Sequence, residues 1–402
     1  MRILVFTDSF YPELGGIQDS LAVTSRELGA RGHTVLLCAP TAADRDYAIS
    51  GLPVREIDLG GNVTVRRMFS LPTPSSTRQS RLLLPTLQRW REMAHFGPDL
   101  VHAHTFLGAG WEAVRTARRL RVPLIGTNHW AVGEFGVYFP VSAQLFARAT
   151  IGAVTRFYNQ CNQVTAPSRS VLREMCTFGL RRPHCVVSNP IDTSSFTPAL
   201  PPERERLKRL LGFSPATILY AGRLAVEKNI DILIRALALL AGRNPDVMLA
   251  LAGHGTARPG LEALAREQGV ASQVRFLGTL GTAELGDACR AADVFATAST
   301  SETQCMALLQ GMSAGLPAVG ADWRALREYI PADAGFLADP HQPNDFATKL
   351  DVLLRDLPLR YGMGERAARF AERFSVARVA DDWERLYASV VADASLSLRD
   401  TA

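Results

Sequence analysis

The stretch VFATASTSETQCMALLQGMSAGLPAVG, residues 294–320, predicts one strand–helix–strand unit. Its apolar run Val294–Ala298 has the length of a buried strand, and a polar turn then leads into a helical pattern over Gln304–Ala314. Gly315 ends that helix, and the next apolar run is Pro317–Gly320. Apolar strands on both sides of a helix are typical of a parallel sheet that helices cover on both faces.

The same alternation fills the rest of the chain. Strand-length apolar runs at Thr217–Ala221, Met248–Ala252 and Val274–Leu277 are each followed by a helical pattern, and a similar series begins at Ile3–Thr7. A Pro-rich break at Phe196–Pro202 separates the two series. The sequence therefore predicts an α/β chain with two doubly wound parallel sheets.

Three segments are expected from this pattern: an N-terminal domain over 1–195, a C-terminal domain over 196–375, and a helical segment over 376–402 that packs back towards the N-terminal domain. Open parallel sheets bind ligands at the carboxyl ends of their strands. A substrate that bridges two such edges has two chemically distinct halves, which favours a transferase over a simple hydrolase.

The composition is that of a globular protein. Apolar residues make up 47% and charged residues 21% of the 402 residues, which excludes a disordered chain. No apolar run approaches the ~18 residues that span a bilayer. The six cysteines are scattered without metal-ligand spacing. Because Met1 and Arg2 lead directly into a strand, we expect no signal peptide. We therefore expect a cytoplasmic protein with reduced thiols.

Charge is distributed unevenly along the chain. Residues 1–195 contain 21 Arg, no Lys and 14 Asp or Glu, which gives +7, whereas the remaining residues carry −2 of the total of +5. A basic half favours an anionic partner: a membrane surface, a phosphorylated acceptor or a nucleic acid. The alternative is that these arginines are only solvated surface residues.

The first candidate site is the polar turn before the helix of residues 304–314. Glu302 lies in that turn, and the amides of Thr303–Met306 at the helix start would form an anion site suited to a diphosphate. Gln310 follows Glu302 at a helical distance of about 12 Å, the reach from a hexose to a ribose across a diphosphate. The alternative is an ordinary capped helix with a solvated glutamate.

The second candidate site is YAGRLAVEKN, residues 220–229. A strand delivers Arg223 to its carboxyl end, and Lys228 precedes the next helix. A planar guanidinium and a compact ammonium together would neutralise a leaving diphosphate, which elsewhere is the task of a metal ion. The alternative is that Lys228 forms a surface ion pair with Glu227.

Weaker candidates lie in the first half. Gly15 and Gly16 precede a helix, so backbone amides there would approach a phosphate closely, although most such pairs are only turns. His129 follows one strand end, and His102 and His104 flank another. A histidine at a strand end could hydrogen-bond a sugar hydroxyl or the reacting centre; the alternative is a structural role.

Three further segments have open interpretations. Arg78–Gly97 is a basic amphipathic stretch typical of a membrane-surface element, or alternatively a sheet-covering helix. The aromatic segment Trp130–Phe139 would line an acceptor pocket or close the core. Asp44-Arg45-Asp46 resembles a metal-binding DxD motif, but it lies in a polar loop and we interpret it as solvated. The sequence contains no Walker A loop, zinc signature or nucleophile elbow.

Taken together, the motifs resemble a known family. GRLAVEKN (222–229), AGHGT (252–256), VRFLGTL (274–280), AADVFATAS (291–299) and SETQCMALLQGMSAGLPAV (301–319) resemble, in this order and spacing, the nucleotide-binding half of the retaining glycosyltransferases of family four, also called group one. DSFYPELGGIQDS (8–20) and DLVHAHT (99–105) are similar to the other half. The resemblance implies the GT-B fold, in which two Rossmann-like domains face each other across a cleft, and sugar transfer with retention, without a metal or a cofactor besides the nucleotide sugar.

The resemblance also implies roles for single residues. Glu302 would hold the donor hexose, Arg223 and Lys228 would clamp its phosphates, and His129 would approach the reacting sugar; these four are the expected catalytic residues. The expected donor-binding residues are Gly15, Gly16, Gly222, Arg223, Lys228, Gly253, Thr279, Leu280, Glu302, Thr303, Gln304, Cys305, Met306 and Gln310. The expected acceptor residues are His104, Trp130 and Tyr138.

Three residues depart from the family pattern. Gln310 stands where a second glutamate is usual, and an amide accepts fewer hydrogen bonds from a ribose than a carboxylate does. Cys305 replaces a glycine, and its side chain would crowd the diphosphate or alter donor choice. His254 replaces an aspartate. These departures keep open a nucleotide-sugar-binding protein that lacks transferase activity.

The resulting expectation is a retaining, metal-independent hexosyltransferase of the cytoplasm. The segment SETQ (301–304) resembles members of this family that glycosylate diacylglycerol-type lipids. With the basic N-terminal half, this resemblance favours such a lipid as acceptor, and hence a peripheral location at the inner membrane face and a role in glycolipid biosynthesis. A soluble or glycan acceptor is the alternative. We expect no nucleic-acid partner.

Overall fold

The computed structural model describes residues 1–13, 15–73, 79–84, 86, 89–130 and 143–399, with only the backbone for 143–149 and 397–399. Tyr138, Arg78 and the segment 131–139, which the sequence analysis singled out, lie outside the described residues. The chain forms two compact units, Met1–Pro190 with Val376–Ala402, and Ile191–Ser375.

The first half of the chain forms nine strands and six helices in its described residues. They are β1 (Arg2–Phe6), α1 (Gly16–Ala30), β2 (Thr34–Pro40), α2 (Asp44–Ser50), β3 (Val63–Met68), β4 (Ser70–Pro72), β5 (Arg81–Leu83), α3 (Arg89–Phe96), β6 (Leu100–Ala103), α4 (Gly108–Leu120), β7 (Leu124–Thr127), α5 (Ala143–Tyr158), β8 (Gln163–Ala166), α6 (Arg169–Thr177) and β9 (His184–Val186).

The second half continues with α7 (Pro201–Leu211), β10 (Ala216–Ala221), α8 (Ile230–Ala241), β11 (Val247–Ala252), α9 (Arg258–Glu267), β12 (Val274–Gly278), α10 (Thr282–Ala291), β13 (Val294–Thr297), α11 (Met306–Ser313), β14 (Ala318–Ala321), α12 (Leu326–Tyr329), β15 (Gly335–Ala338), α13 (Pro343–Arg355), α14 (Leu357–Ala371) and α15 (Val376–Arg399).

A parallel sheet in the order β3-β2-β1-β6-β7-β8-β9 forms the centre of the first unit. Side chains alternate between the two faces of a strand. Ile3 and Val5 of β1 therefore pack into one core with residues of α1 and α15, and Leu4 and Phe6 pack into the other with residues of α4, α5 and α6. Buried apolar residues on both faces explain why β1 reads as a continuous apolar run.

The last helix, α15, belongs to the first unit although it follows the second in sequence. Trp383 and Tyr387 are buried in the same core as Ile3 and Val5. At the rim of this contact, Arg31 at the end of α1 donates to Asp381 at 2.6 Å and to Glu384 at 2.7 Å.

The second unit contains a parallel sheet in the order β12-β11-β10-β13-β14-β15. The central strand β10 is buried along its whole length. Phe196, in the predicted Pro-rich break, is fully buried in the core of this unit, and Pro201 begins α7. The unit therefore starts at Ile191, ahead of the Pro-rich stretch.

Two interpretations of surface segments are wrong. Asp46 of the DxD-like triplet is buried in α2, where it accepts from the Ala43 amide and pairs with Arg81 at 3.1 Å. The stretch Arg78–Gly97 is not one amphipathic element, because its described part forms the strand β5 and the separate helix α3. Arg81 is therefore committed to an internal ion pair.

Candidate functional site

The second sheet changes its winding direction between β10 and β13. From β10 the chain moves outward to β11, whereas from β13 it moves outward to β14 on the other side. Such a switch point opens a crevice outside the carboxyl ends of the strands, and ligands of doubly wound sheets bind there. The loops after β10 and β13, which carry half of the predicted donor-binding residues, flank this point.

Lys228 and Glu302 meet at the switch point. Lys228 Nζ donates to Glu302 Oε1 at 2.7 Å, and both side chains are largely buried, with 12% and 14% of their surface exposed. Burial alone would raise the pKa of Glu302, but Lys228, a hydrogen bond from Ser299 and nearby Arg223 outweigh it and hold the pKa below its ordinary value. Glu302 is therefore ionised at neutral pH. The ammonium has three donors, and this pair uses one of them.

Arg223 places a second cation at the same strand end. Its Nη2 donates to Glu227 Oε1 at 2.9 Å, so that Glu227 is the partner of Arg223 while Lys228 pairs with Glu302. Half of the Arg223 side chain is exposed (53%). Tyr220 Oη donates to the Arg223 carbonyl at 2.9 Å and fixes its backbone. The other guanidinium N–H groups of Arg223 can donate to two oxygens of a phosphate.

The helix after β13 begins later than the sequence predicts. It starts at Met306, with Cys305 as its N-cap, because the turn extends through Gln304. Its first-turn amides are therefore those of 306–308, of which the Leu308 amide donates to the Cys305 thiol. Glu302 lies outside the helix, so the helical rise behind the estimate of about 12 Å to Gln310 does not apply over the whole interval. Burial raises the pKa of the Cys305 thiol, which is therefore neutral.

Backbone hydrogen bonds join the carboxyl ends of β10, β11 and β12. Gly222 N donates to Ala252 O at 2.9 Å, and Gly253 N donates to Gly278 O at 2.7 Å. A Cβ on Gly253 would lie 1.9 Å from the Gly222 carbonyl oxygen, at a φ of +140° that disfavours other residues. Thr279 and Leu280 follow directly on the same edge.

Sequence reasoning missed Asn229, which links the two loops. Its amide nitrogen donates to Ala298 O at 3.1 Å and to Thr300 Oγ1 at 3.3 Å, and its own backbone is left-handed with φ 48°. Asparagine tolerates that conformation better than most residues. An asparagine directly after the lysine and before an apolar helix was the available signal.

In the first unit, Asp8 organises the carboxyl edge of the sheet at its own switch point, between β1 and β6. Its buried carboxylate accepts from Thr105 Oγ1 at 2.7 Å and from the amides of Leu83 and Ala109 at 2.9 and 3.1 Å. Burial raises the pKa of Asp8 although these hydrogen bonds oppose it. Asp8 thus ties the end of β1 to β5 and to the start of α4.

The loop after Asp8 leads to α1, with Gly15 as the N-cap of the helix and Gly16 as its first residue. A hydrogen bond from Tyr11 Oη to Asp19 Oδ1, 2.5 Å long, connects this loop to the first turn of the helix.

Three buried histidines form a row at the carboxyl ends of β6 and β7. The rings of His102 and His104 lie 3.9 Å apart between centroids, and His104 Nδ1 lies 3.0 Å from His129 Nε2. His102 Nδ1 contacts Tyr387 Oη of α15 at 2.8 Å, and its Nε2 contacts Thr127 Oγ1 at 2.6 Å. The structure therefore brings His104 and His129 together and gives His102 a structural position.

Burial keeps this histidine row neutral. It lowers the pKa of His102 to about 3, that of His129 to about 4, and that of His104 well below its ordinary value. Because both imidazoles are neutral, one ring donates its proton in the His104–His129 contact and the other accepts it, so their tautomers are coupled. Trp130 follows His129 and stacks edge-on against Phe106.

The histidine row predicts acid sensitivity. Unfolded histidines bind protons below a pH of about 6.5, whereas His102 and His129 stay neutral in the folded unit down to about 3 and about 4. The unfolded state therefore binds more protons. The free energy of unfolding falls as the pH drops below about 6.5, by up to ~1.4 kcal/mol per pH unit for each buried histidine.

Denaturant unfolding between pH 7.5 and 5.5 measures this slope, and His102→Gln is expected to reduce it. The matched control is His95→Gln, since His95 is exposed. An unchanged slope in His102→Gln would contradict the assignment.

No helix within the described residues is long and apolar enough to cross a membrane. Among the same residues, no group of three or more His, Cys, Asp and Glu side chains is arranged to hold a metal ion.

Comparison with known proteins identifies the family. Residues 203–370 match the model of the glycosyl transferases group 1, and residues 14–195 match that of glycosyltransferase family 4. A D-inositol 3-phosphate glycosyltransferase of Corynebacterium aurimucosum is 35% identical over 73% of this chain and 72% of its own length. The chain therefore belongs to the group 1 glycosyltransferases, as its motifs predict.

Two other relatives extend the comparison. The α-monoglucosyldiacylglycerol synthase of Streptococcus pneumoniae is 26% identical over 79% of this chain and 70% of its own length. The sulfoquinovosyl transferase SQD2 of Arabidopsis thaliana is 29% identical over 78% of this chain, and the match spans 61% of that protein.

The fold is also found among solved structures. Anabaena HepE, in a crystal structure with UDP and glucose, superimposes with a TM-score of 0.76 over 97% of this chain and 100% of its own, at 21% identity. This confirms the predicted fold class, a GT-B chain with two Rossmann-like parallel sheets.

Proposed function

We propose that the protein transfers a hexose from a nucleotide-diphosphate sugar to an acceptor hydroxyl, with retention and without a metal ion. The observation that carries this proposal is the Lys228–Glu302 ion pair at the switch point of the second sheet. Arg223 and the first turn of α11 flank the pair. Together they supply two cations, a carboxylate and the backbone amides of a helix start at one strand edge.

Each group has a defined task in this proposal. Lys228 and Arg223 bind the diphosphate and stabilise the negative charge that develops as the sugar leaves. The ionised Glu302 accepts hydrogen bonds from the hexose hydroxyls, and its contact with Lys228 holds both side chains in place. The crystal structure of HepE with UDP and glucose supports a nucleotide donor for this fold.

The proposed chemistry keeps the anomeric configuration. The bond between the anomeric carbon and the phosphate oxygen breaks on the face where the acceptor oxygen attacks, and the acceptor proton passes to the departing phosphate. Glu302 is engaged by Lys228, so we assign it to binding and not to nucleophilic attack. His129, neutral because burial lowers its pKa to about 4, is proposed to hydrogen-bond the reacting sugar.

We further propose a diacylglycerol-type lipid as acceptor, at the inner membrane face. The named activity of the Streptococcus pneumoniae relative and the +7 charge of residues 1–195 support this choice. The corynebacterial relative supports a second candidate, a soluble phosphorylated acceptor such as inositol 3-phosphate.

The test begins with a screen of UDP-, GDP- and ADP-sugars by thermal shift, because a bound donor stabilises the fold by mass action. The stabilising donor is then offered with diacylglycerol in mixed micelles or with inositol 3-phosphate, in the presence and absence of EDTA. We expect glycosylated diacylglycerol, an unchanged rate in EDTA, and an NMR coupling constant that shows the donor's anomeric configuration.

Three results would contradict separate parts of the proposal. Loss of activity in EDTA that manganese restores would exclude the metal-independent mechanism, and an inverted product would exclude retention. Donor binding without transfer to either acceptor would favour the sugar-binding alternative.

A further inference from the structure

The first unit contains an open groove at the edge of its sheet opposite to the histidine row. It has a volume of about 580 Å³ and lies where α5 and α6 end, before β8 and β9 begin. We call it the arginine groove and define it by Thr155, Arg156, Asn159, Phe178, Arg181 and Arg182. These residues precede the amino ends of β8 and β9, whereas His104 and His129 lie at the carboxyl ends of the strands of the same sheet.

Hydrogen bonds of Asn159 fix the cationic side of the groove. Its carbonyl accepts from Arg182 Nε at 2.8 Å, and its Oδ1 accepts from the Arg181 amide at 2.9 Å. Its Nδ2 donates to Gly179 O at 2.9 Å. The loop that carries both arginines is therefore attached to the end of α5, next to Arg156.

The guanidinium groups of the arginine groove lack counter-charges. Across the described ranges, Arg156, Arg181 and Arg182 form no ion pair, and no carboxylate lines the groove. Other arginines of the unit behave differently: Arg31 and Arg67 each contact a carboxylate within 2.7 Å. Three arginines of the basic first half thus line one groove, where like charges repel until an anion binds.

A buried hydroxyl gives an independent sign of a ligand. Thr155 lines the groove and is only 1% exposed, yet its Oγ1 has no hydrogen-bond partner among the described residues. Buried hydroxyls are normally paired, because leaving one unsatisfied destabilises the fold. Because this oxygen is itself buried, an acceptor in the groove would satisfy it only after the groove side chains move on binding.

We propose that the arginine groove binds a phosphate group. A guanidinium fork matches two phosphate oxygens, and three forks with one hydroxyl suit a phosphate better than a carboxylate. The phosphate belongs either to a soluble molecule or to the headgroup of an anionic lipid. In the second case the groove would hold the first unit against a membrane by a contact outside the acceptor site.

The test compares the full chain with two triple variants. The groove variant carries Arg156→Gln, Arg181→Gln and Arg182→Gln. The control carries Arg206→Gln, Arg209→Gln and Arg235→Gln, which removes the same charge from exposed positions of the second unit. Sodium phosphate, against sodium chloride at equal ionic strength, is the soluble ligand. Vesicles of phosphatidylcholine with or without phosphatidylglycerol are the lipid arm.

For a soluble source, we expect phosphate to raise the melting temperature of the parent and the control by about 2 °C or more, and that of the groove variant by less than half as much. For a lipid source, the parent and the control float with phosphatidylglycerol vesicles and the groove variant does not. Either result supports the proposal. Equal behaviour of the groove variant and the parent in both arms, or no response of the parent in either, would overturn it.

A second variant tests the hydroxyl without changing charge. Thr155→Val should raise the melting temperature in chloride, because it removes an unsatisfied buried group, and should weaken the effect of phosphate or vesicles. Stabilisation in chloride with an undiminished ligand effect would exclude Thr155 from the site. Donor binding, measured in parallel with a nucleotide sugar, should be the same in all variants, so failure here is distinguishable from failure of the proposed sugar transfer.

Discussion

Replacing Lys228 by methionine is expected to lower the turnover of sugar transfer by about 10²- to 10³-fold while the protein stays folded. The ammonium is the cation that contacts Glu302 at the switch point, at 2.7 Å. In the proposed mechanism, the charge that develops on the diphosphate then loses one of its two side-chain cations. The loss is expected mainly in kcat, because the interaction strengthens as the sugar–phosphate bond breaks.

The chain supplies a matched control for this substitution. Lys349 forms an ion pair of the same length, 2.7 Å, with Asp345 on the outer face of α13. Lys349→Met therefore removes the same charge and one ion pair, and turnover should be unchanged. Steady-state kinetics with the donor identified by thermal shift measures both variants. A Lys228→Met enzyme within about threefold of the parent would refute the role of Lys228, since a threefold change is under 1 kcal/mol.

Of the substitutions proposed here, Asp293→Ala is expected to lower the free energy of unfolding most, by about 3–5 kcal/mol. Asp293 is 2% exposed and precedes β13. Its carboxylate accepts from Lys208 at 2.7 Å, from Arg204 at 3.0 Å and from the Thr217 amide at 2.8 Å, and Arg360 lies 3.4 Å away. Removal of the carboxylate leaves three largely buried cations without a counter-ion.

Calorimetry should show this loss as a melting temperature lower by roughly 6–20 °C, from ~2–4 °C per kcal/mol in a unit of this size. Lys349→Met is the control, because it breaks only a partly exposed ion pair with Asp345 that contributes at most about 1 kcal/mol. Adding Lys208→Met to Asp293→Ala should recover part of the loss, since one unpaired charge is removed. A double variant less stable than Asp293→Ala would show that packing, and not charge, is responsible.

How much of the fold the sequence predicts depends on where a strand lies in its sheet. Central strands such as β1, β10 and β13 are buried on both faces and read as continuous apolar runs. The edge strands β3 and β9 carry polar residues such as Arg66 and His184, and sequence analysis did not find them. Their place in the sheet comes from pairing with a neighbour, which has no local signature.

The sequence analysis also missed the helices α13 and α14, although α13 carries clear sequence signals. Pro343 stands at the first turn of α13, and Phe346, Leu350 and Leu353 follow at helical spacing on its buried face. These are standard helix-start and periodicity signals, so the sequence contained the information.

Within the candidate site, the sequence indicated the chemical groups but not their pairing. Lys228 and Glu302 were both singled out, but they are 74 residues apart, and the sequence analysis considered only Glu227 as an ion-pair partner for Lys228, as an alternative. His102 and Tyr387 are 285 residues apart, so no local pattern predicts their contact. The roles assigned to Arg223, Lys228, Glu302 and His129 stay predictions that the kinetic experiments test.

The position of α15 has a consequence for biosynthesis. The first unit needs Trp383 and Tyr387 to complete one of its two cores, and these residues are synthesised after the whole second unit. The second unit is continuous in sequence, so it can finish folding on the ribosome first. The N-terminal half must wait with an apolar face uncovered, and chaperones that recognise such faces are expected to bind nascent chains until residues 376–390 emerge from the exit tunnel.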